Sequence, residues 1–219
     1  MGGKKWFGAV AVFLPATAVA QQAQPWPDLY VTKPVAKGWT ASGEGIFRVA
    51  DDRRASQLET RVQIGRQLSK RVTVWAGWVH SNNYIPHAPN TVENQAVEQL
   101  NWTVGAVSHL RLLARTRLEQ RFISNADDTS WRFRQQIRLV YGFGGPRAPG
   151  AVLWTEPFFA LNRTTAQHQT LDQLRTFAGL TIPVSSKADV EFGYLNQRIY
   201  RANDHLVNHA IPLIVNYRF

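Results

Sequence analysis

The sequence predicts an all-β chain, an antiparallel transmembrane β-barrel of about 10–12 strands with a polar, Arg/Glu/Gln-lined lumen. Three observations lead there. Apolar and polar residues alternate with period two along almost the whole chain, and helical spacing never outlasts about one turn. The alternating runs last about ten to thirteen residues, long for soluble strands but suited to a tilted bilayer crossing. The chain also closes on Ile211-Pro212-Leu213-Ile214-Val215-Asn216-Tyr217-Arg218-Phe219, an alternating strand that ends in an aromatic residue.

Composition agrees and excludes other classes. In 219 residues there is no cysteine, so disulfides, thiolate metal sites and cysteine nucleophiles are all absent. Hydrophobic residues make up 44% and charged residues 18%, which rules out a disordered polyelectrolyte. The formal charge of +10 invites a nucleic-acid reading. That reading needs arginines on a solvent-exposed face, whereas here they alternate inward in an exported chain, so no nucleic-acid partner is expected.

Taken in order, residues 1–20 read as a signal peptide. Lys4 and Lys5 supply the charged start, Trp6–Leu14 the apolar stretch, and Ala18-Val19-Ala20 the small-residue cleavage site. No cysteine follows, so no lipid anchor is expected. Residues 21–27 form a Pro-rich lead-in, and 28–219 the barrel. Strands are expected near 28–36, 39–49, 56–68, 71–80, 92–103, 110–122, 131–143, 151–162, 170–182, 188–200 and 205–219. Turn-forming clusters such as Ser81-Asn82-Asn83, Asn125-Ala126-Asp127-Asp128, Gly144-Gly145-Pro146 and Ser185-Ser186 separate them. Eleven is an odd count for a bacterial barrel, and parity favours twelve, with the lead-in supplying a further crossing or a short lumenal plug around Trp26-Pro27.

The two strand faces decide between a soluble sandwich and a barrel. Along 111–122, Leu112, Ala114, Thr116, Leu118, Gln120 and Phe122 alternate with Arg111, Leu113, Arg115, Arg117, Glu119 and Arg121. In the next strand Trp131, Phe133, Ile137, Leu139 and Tyr141 oppose Arg132, Arg134, Gln136 and Arg138. A soluble sandwich also alternates, but the strand lengths fit lipid better. Trp75, Trp78, Trp102, Trp131, Trp154, Phe158 and Phe159 stand toward strand ends, where interfacial girdles belong. Tyr217 and Phe219 share a face with Leu213 and Val215, and this ending looks like the signal read by barrel-assembly machinery. The expected location is the outer membrane, with outer-membrane lipids and lipopolysaccharide as partners and a monomer as the expected state.

A family resemblance rests on Arg117-Leu118-Glu119-Gln120-Arg121-Phe122, then Arg132-Phe133-Arg134 with Arg138. Glu156-Pro157 with Asn162, Asp172-Gln173-x-Arg175 and Gly193-Tyr194-Leu195 follow in order. The chain resembles an uncharacterised group of bacterial outer-membrane barrels, domain of unknown function 2490, over about Asp28 to Phe219. The resemblance implies fold and location and transfers no catalytic residue.

The expected lumen network comprises Glu59, Arg61, Arg115, Arg117, Glu119, Arg121, Arg132, Arg134, Arg138, Glu156, Arg175 and Glu191, flanked by Glu44, Arg48, Gln63, Gln173 and Gln197. Arginine outnumbers lysine, 19 to 6. Guanidinium groups hold carboxylates in bidentate geometry, so such a ladder could knit strands into a sealed ion-paired plug. With arginine in excess, the sharper alternative is a narrow anion-favouring pore. A third reading is an outer-membrane enzyme acting on lipid or lipopolysaccharide. Its candidates are Ser81 beside His80, Ser108 beside His109, and His205 and His209 with Asn208. Neighbours along a strand point to opposite faces, which argues against Ser108–His109, and no third ligand accompanies the two C-terminal histidines. No catalytic residue, cofactor or metal site is therefore assigned. The loop cations Arg53, Arg54, Arg163 and Arg201 read as solvated residues or as contacts for lipopolysaccharide phosphates.

Overall fold

The computed structural model describes residues 23–49, 55–145, 147–167, 170–201 and 205–219. The signal segment 1–20, Arg53 and Arg54 lie outside them. Eleven strands close into one barrel: β1 (Gln24–Ala36), β2 (Trp39–Arg48), β3 (Ser56–Gln67), β4 (Val72–Tyr84), β5 (Thr91–Val107), β6 (Leu110–Ile123), β7 (Ser130–Gly142), β8 (Gly150–Ala160), β9 (Leu171–Pro183), β10 (Ala188–Tyr200) and β11 (His205–Arg218). Each runs antiparallel to its chain neighbours, and the ring closes where β1 pairs with β11 in parallel, from Gln24↔Ala210 to Thr32↔Arg218.

This closure corrects the expectation of a twelfth strand. With an odd number, the first and last strands run the same way, and a parallel ladder joins them without an extra crossing. The first strand also begins earlier than alternation suggested. Gln24–Pro27 stand in the wall, and the two prolines face outward on alternate positions while Gln24 and Trp26 are buried inside.

One end carries short connections. Among them are Lys37-Gly38, where Gly38 adopts φ +74°, and Ser108-His109, where Ser108 adopts φ 52°. The chain ends there too. The opposite end carries the longer loops, and residues 161–167 fold back over it through a Thr164↔Gln167 bridge.

Alternation sorts the side chains. Leu29, Val62, Ile64, Ile137, Leu153, Ile211 and Leu213 are exposed on the outer wall. Outward aromatic residues lie toward both ends: Trp78 stacks on Phe122 with centroids 6.0 Å apart, and Tyr217 meets Phe219 edge-on at 4.8 Å near the short-turn end. An aqueous surface this apolar would be costly, whereas a hydrocarbon band accommodates it. Three aromatics expected in the girdle instead face inward. Trp75 shares its face with Val79 and Ser81, and its ring lies against Gly65, where any Cβ would come within 2.6 Å of it. Trp154 and Phe158 share theirs with Glu156 and are 8% and 1% exposed. Position near a strand end could not reveal this; the parity set by the neighbouring polar residue does.

Candidate functional site: a charge-lined lumen

The network is built from facing arginines and glutamates brought together by register. The pairing of Arg117 with Arg134 and of Glu119 with Arg132 places β6 and β7 cations around one carboxylate. Glu119 is fully buried and accepts from Arg132 Nε at 2.6 Å and from Arg134 Nη1 at 2.8 Å, with Arg117 Nη1 at 3.6 Å. Arg134 also donates to Glu156 from Nε at 3.2 Å and Nη2 at 3.0 Å, while Arg115 Nη2 reaches Glu156 at 3.0 Å. A continuous chain therefore runs Arg132–Glu119–Arg134–Glu156–Arg115 across β6, β7 and β8. The planar guanidinium makes it possible, since one Arg134 can hold two carboxylates at once.

A second group stands on β2 and β3. Glu59 accepts from Arg48 at 3.0 Å and Arg61 at 2.7 Å, and Arg61 also pairs with Glu44. Arg121 grips Glu93 at 2.5 and 3.0 Å. It also donates to Gln167 at 3.3 Å, tying the folded-back loop to the wall. Arg138 on β7 reaches past two strands to Glu191 on β10, pairing with both of its oxygens. Isolated buried charges would be prohibitively costly, and this mutual pairing offsets their desolvation.

All twelve residues expected in the network stand on the lumen face, with Tyr217 and Phe219 on the outer wall. Arg175 is the exception in kind. Among the described residues no carboxylate forms an ion pair with it. Its guanidinium lies instead 4.9 Å from the Phe158 ring and 5.7 Å from that of Trp26, beside Gln173. Phe158 also lies beneath Arg132 and Arg134, at 5.2 and 4.0 Å.

Other contributors escaped the sequence reading. Glu93, Gln95 and Gln99 occupy alternate inward positions of β5, and Gln99 accepts from Arg117 Nε at 2.8 Å. The outer face of β5 is itself partly polar, with Asn94 and Glu98, so its two faces look alike in sequence. Gln167 sits in a loop and carried no periodic signal.

On the other side of the lumen, Trp26, Val140, Val152, Trp154, Phe177, Leu195 and Ala210 form an apolar wall. Trp154 and Phe177 stack at 5.4 Å. A cavity of about 850 Å³ lies between the two walls. Its lining runs from Asn83 and Arg201 near the long-loop end to Asn101 and Asn216 near the short-turn end. Among the described residues ten arginines line it against six carboxylates, and Glu119 stands behind them as a seventh.

The serine–histidine candidates do not come together. Ser81 is buried in the lumen while His80 points outward, and Ser108-His109 forms a turn. His209 is outward and meets the Tyr194 hydroxyl at 2.5 Å. Among the described residues there is no cluster of three metal-ligating side chains.

A closed barrel with an apolar outer wall and an ion-paired interior defines a β-barrel of transmembrane type. The chain belongs to the family described as protein of unknown function (DUF2490), whose model matches residues 23–208. An uncharacterized protein of Methylorubrum extorquens is 32% identical over 160 residues, covering 71% of this chain. The matched region spans 66% of that relative's length. Two solved structures share the fold. A NanC porin superposes with a TM-score of 0.56 at 14% identity, over 87% of this chain and 91% of that one. LpxR from Salmonella typhimurium gives 0.51 at 9% identity, over 81% and 83%.

Proposed function

We propose that this protein is an outer-membrane β-barrel of narrow-pore type whose lumen favours anions. The observation that carries the reading is the 850 Å³ cavity, lined from one end of the barrel to the other by more arginines than carboxylates. Excess guanidinium charge at a constriction attracts anions and repels cations. The likeness to a porin supports the same reading at the level of fold. The ion pairs fix most arginines to the wall, so the passage is narrow and its selectivity rests on cations without a dedicated carboxylate. Discrete conductance steps from the folded chain in a planar bilayer are expected, and silence from a folded barrel would favour a sealed, ion-paired lumen.

A second reading, an outer-membrane enzyme acting on lipid, draws on a specific feature of the outer wall. A groove of about 260 Å³ lies at the long-loop end between Asn94, Phe122, Ser124, Asp127 and Asp128. Beside it His80 Nδ1 stands 2.9 Å from Asn94 Oδ1, and Asn82 Nδ2 lies 3.2 Å from His80 Nε2. An imidazole oriented by two asparagines, one of them lining the groove, is the candidate acid–base group. Mass spectrometry of lipopolysaccharide incubated with the folded chain tests this. A modified lipid lost in His80→Ala would support it, and unaltered lipid would remove it.

A further inference from the structure

The cations of this chain are distributed unevenly between the two ends of the barrel. At the short-turn end, Lys33, Lys37, Arg66, Lys70 and Arg71 are all exposed and stand together along β1–β4. Register explains the clustering. Arg66 Nη1 donates to the Lys37 carbonyl at 2.9 Å, and Gln67 N donates to that of Gly38 at 2.9 Å, so the two neighbouring turns are bound side by side. Thr103 N donates to the Arg71 carbonyl at 2.8 Å, which ties the β3–β4 turn to β5. No acidic residue occurs between Glu59 and Glu93. Arg111, Arg147, Lys187 and Arg218 continue the basic ring, and the acid at this end, Asp189, is already paired with Arg218. At the long-loop end, Arg163, Arg198 and Arg201 are balanced among the described residues by Asp127, Asp128 and Asp172.

The basic cluster is interleaved with exposed apolar side chains. Val35, Trp39, Leu68, Trp102 and Val107 are 41–77% exposed beside it. Trp39 and Arg66 are directly paired across β2 and β3, with the guanidinium 5.2 Å from the ring. Both point outward, away from the lumen, as does Lys33. A rim that offers aromatic and aliphatic groups toward hydrocarbon, with cations at the same level, matches the boundary between acyl chains and phosphates.

We infer that the outer wall of the short-turn end, along β1–β4, is a binding site for the headgroups of anionic glycerophospholipids. The phosphate meets Lys33, Lys37, Lys70 and Arg71, and the acyl chains lie along Trp39 and Trp102. The inference rests on the barrel standing in a membrane, and it is independent of whether the lumen conducts.

The test is native mass spectrometry of the folded chain released from mixed micelles holding equal phosphatidylglycerol and phosphatidylcholine. The expected result is retention of phosphatidylglycerol over phosphatidylcholine by at least about tenfold. Replacing Lys33, Lys37, Lys70 and Arg71 together by Gln, all exposed and outside the lumen, brings the retention of the two lipids close to equal. Arg163→Gln with Arg201→Gln, at the opposite end, leaves it intact. Equal retention of the two lipids by the unaltered chain would overturn the inference, as would an unchanged preference in the fourfold variant. Complete displacement of phosphatidylglycerol by inorganic phosphate would also overturn it, marking a free-anion site instead.

Discussion

The lumen has two unlike walls. From β2 to β8 the inward side chains are mostly polar, with the charges concentrated on β2, β3, β6 and β7, and each carboxylate there is held by arginine, as Glu119 is by Arg132 and Arg134. From β8 through β11 to β1 the inward face carries the apolar cluster, with Phe177 wholly buried against Trp154, set among amides such as Gln173, Gln197 and Asn208. The Phe177 ring fits because Gly179 and Gly193 stand beside it; a Cβ at either would approach the ring to 2.5 or 2.9 Å. The charged wall depends on completeness, since removing one partner leaves the others buried without their counter-charge. The apolar wall depends on shape. Arg175 sits at the seam: it projects from the apolar side, rests on Phe158 and Trp26, and carries charge without a paired carboxylate.

The contrast can be broken in four places. Glu119→Ala leaves Arg132 and Arg134 without their shared carboxylate and should destabilise the folded barrel by about 3–5 kcal/mol, read from urea unfolding in micelles. Phe177→Ala opens a void in the apolar wall. It should cost about 3 kcal/mol by the same measurement, somewhat less because the void adjoins the existing cavity. Arg175→Gln removes a cation that forms no ion pair with a carboxylate among the described residues. Its stability should stay within about 1 kcal/mol of the unaltered chain, while anion selectivity falls. Arg163→Ala, exposed in the β8–β9 loop, should change neither property, with a stability effect below about 0.5 kcal/mol. Equal midpoints for Glu119→Ala and Arg163→Ala would show that the charged wall contributes little to the fold.

The same two walls explain what could be read from sequence. The charged wall was legible because an inward arginine next to an outward leucine leaves no doubt about parity, as at Arg115, Arg117 and Glu119 against Ala114, Thr116 and Leu118. All eleven strands were found within a few residues for the same reason. The apolar wall was not legible. An inward Trp154, Phe177 or Leu195 carries the same signature as an outward Leu153 or Leu213, so Trp154 and Phe158 were placed in the girdle. Strand β5 failed in the opposite sense, with polar residues on both faces hiding Glu93 and Gln99. The parallel closure of β1 on β11 leaves no mark in alternation at all. It depends on which strands meet after the ring has formed, and parity alone pointed to twelve.

Phosphatidylglycerol retention would extend the comparison from the two walls to the two ends of the barrel. The central claim concerns the passage between the walls. Its most direct test is the reversal potential of single channels formed by the folded chain under a potassium chloride gradient, compared with Arg175→Gln. The account predicts discrete anion-selective steps and a reversal potential that moves toward the cation side in the variant. A folded barrel that passes no current, or one that selects cations, would contradict it.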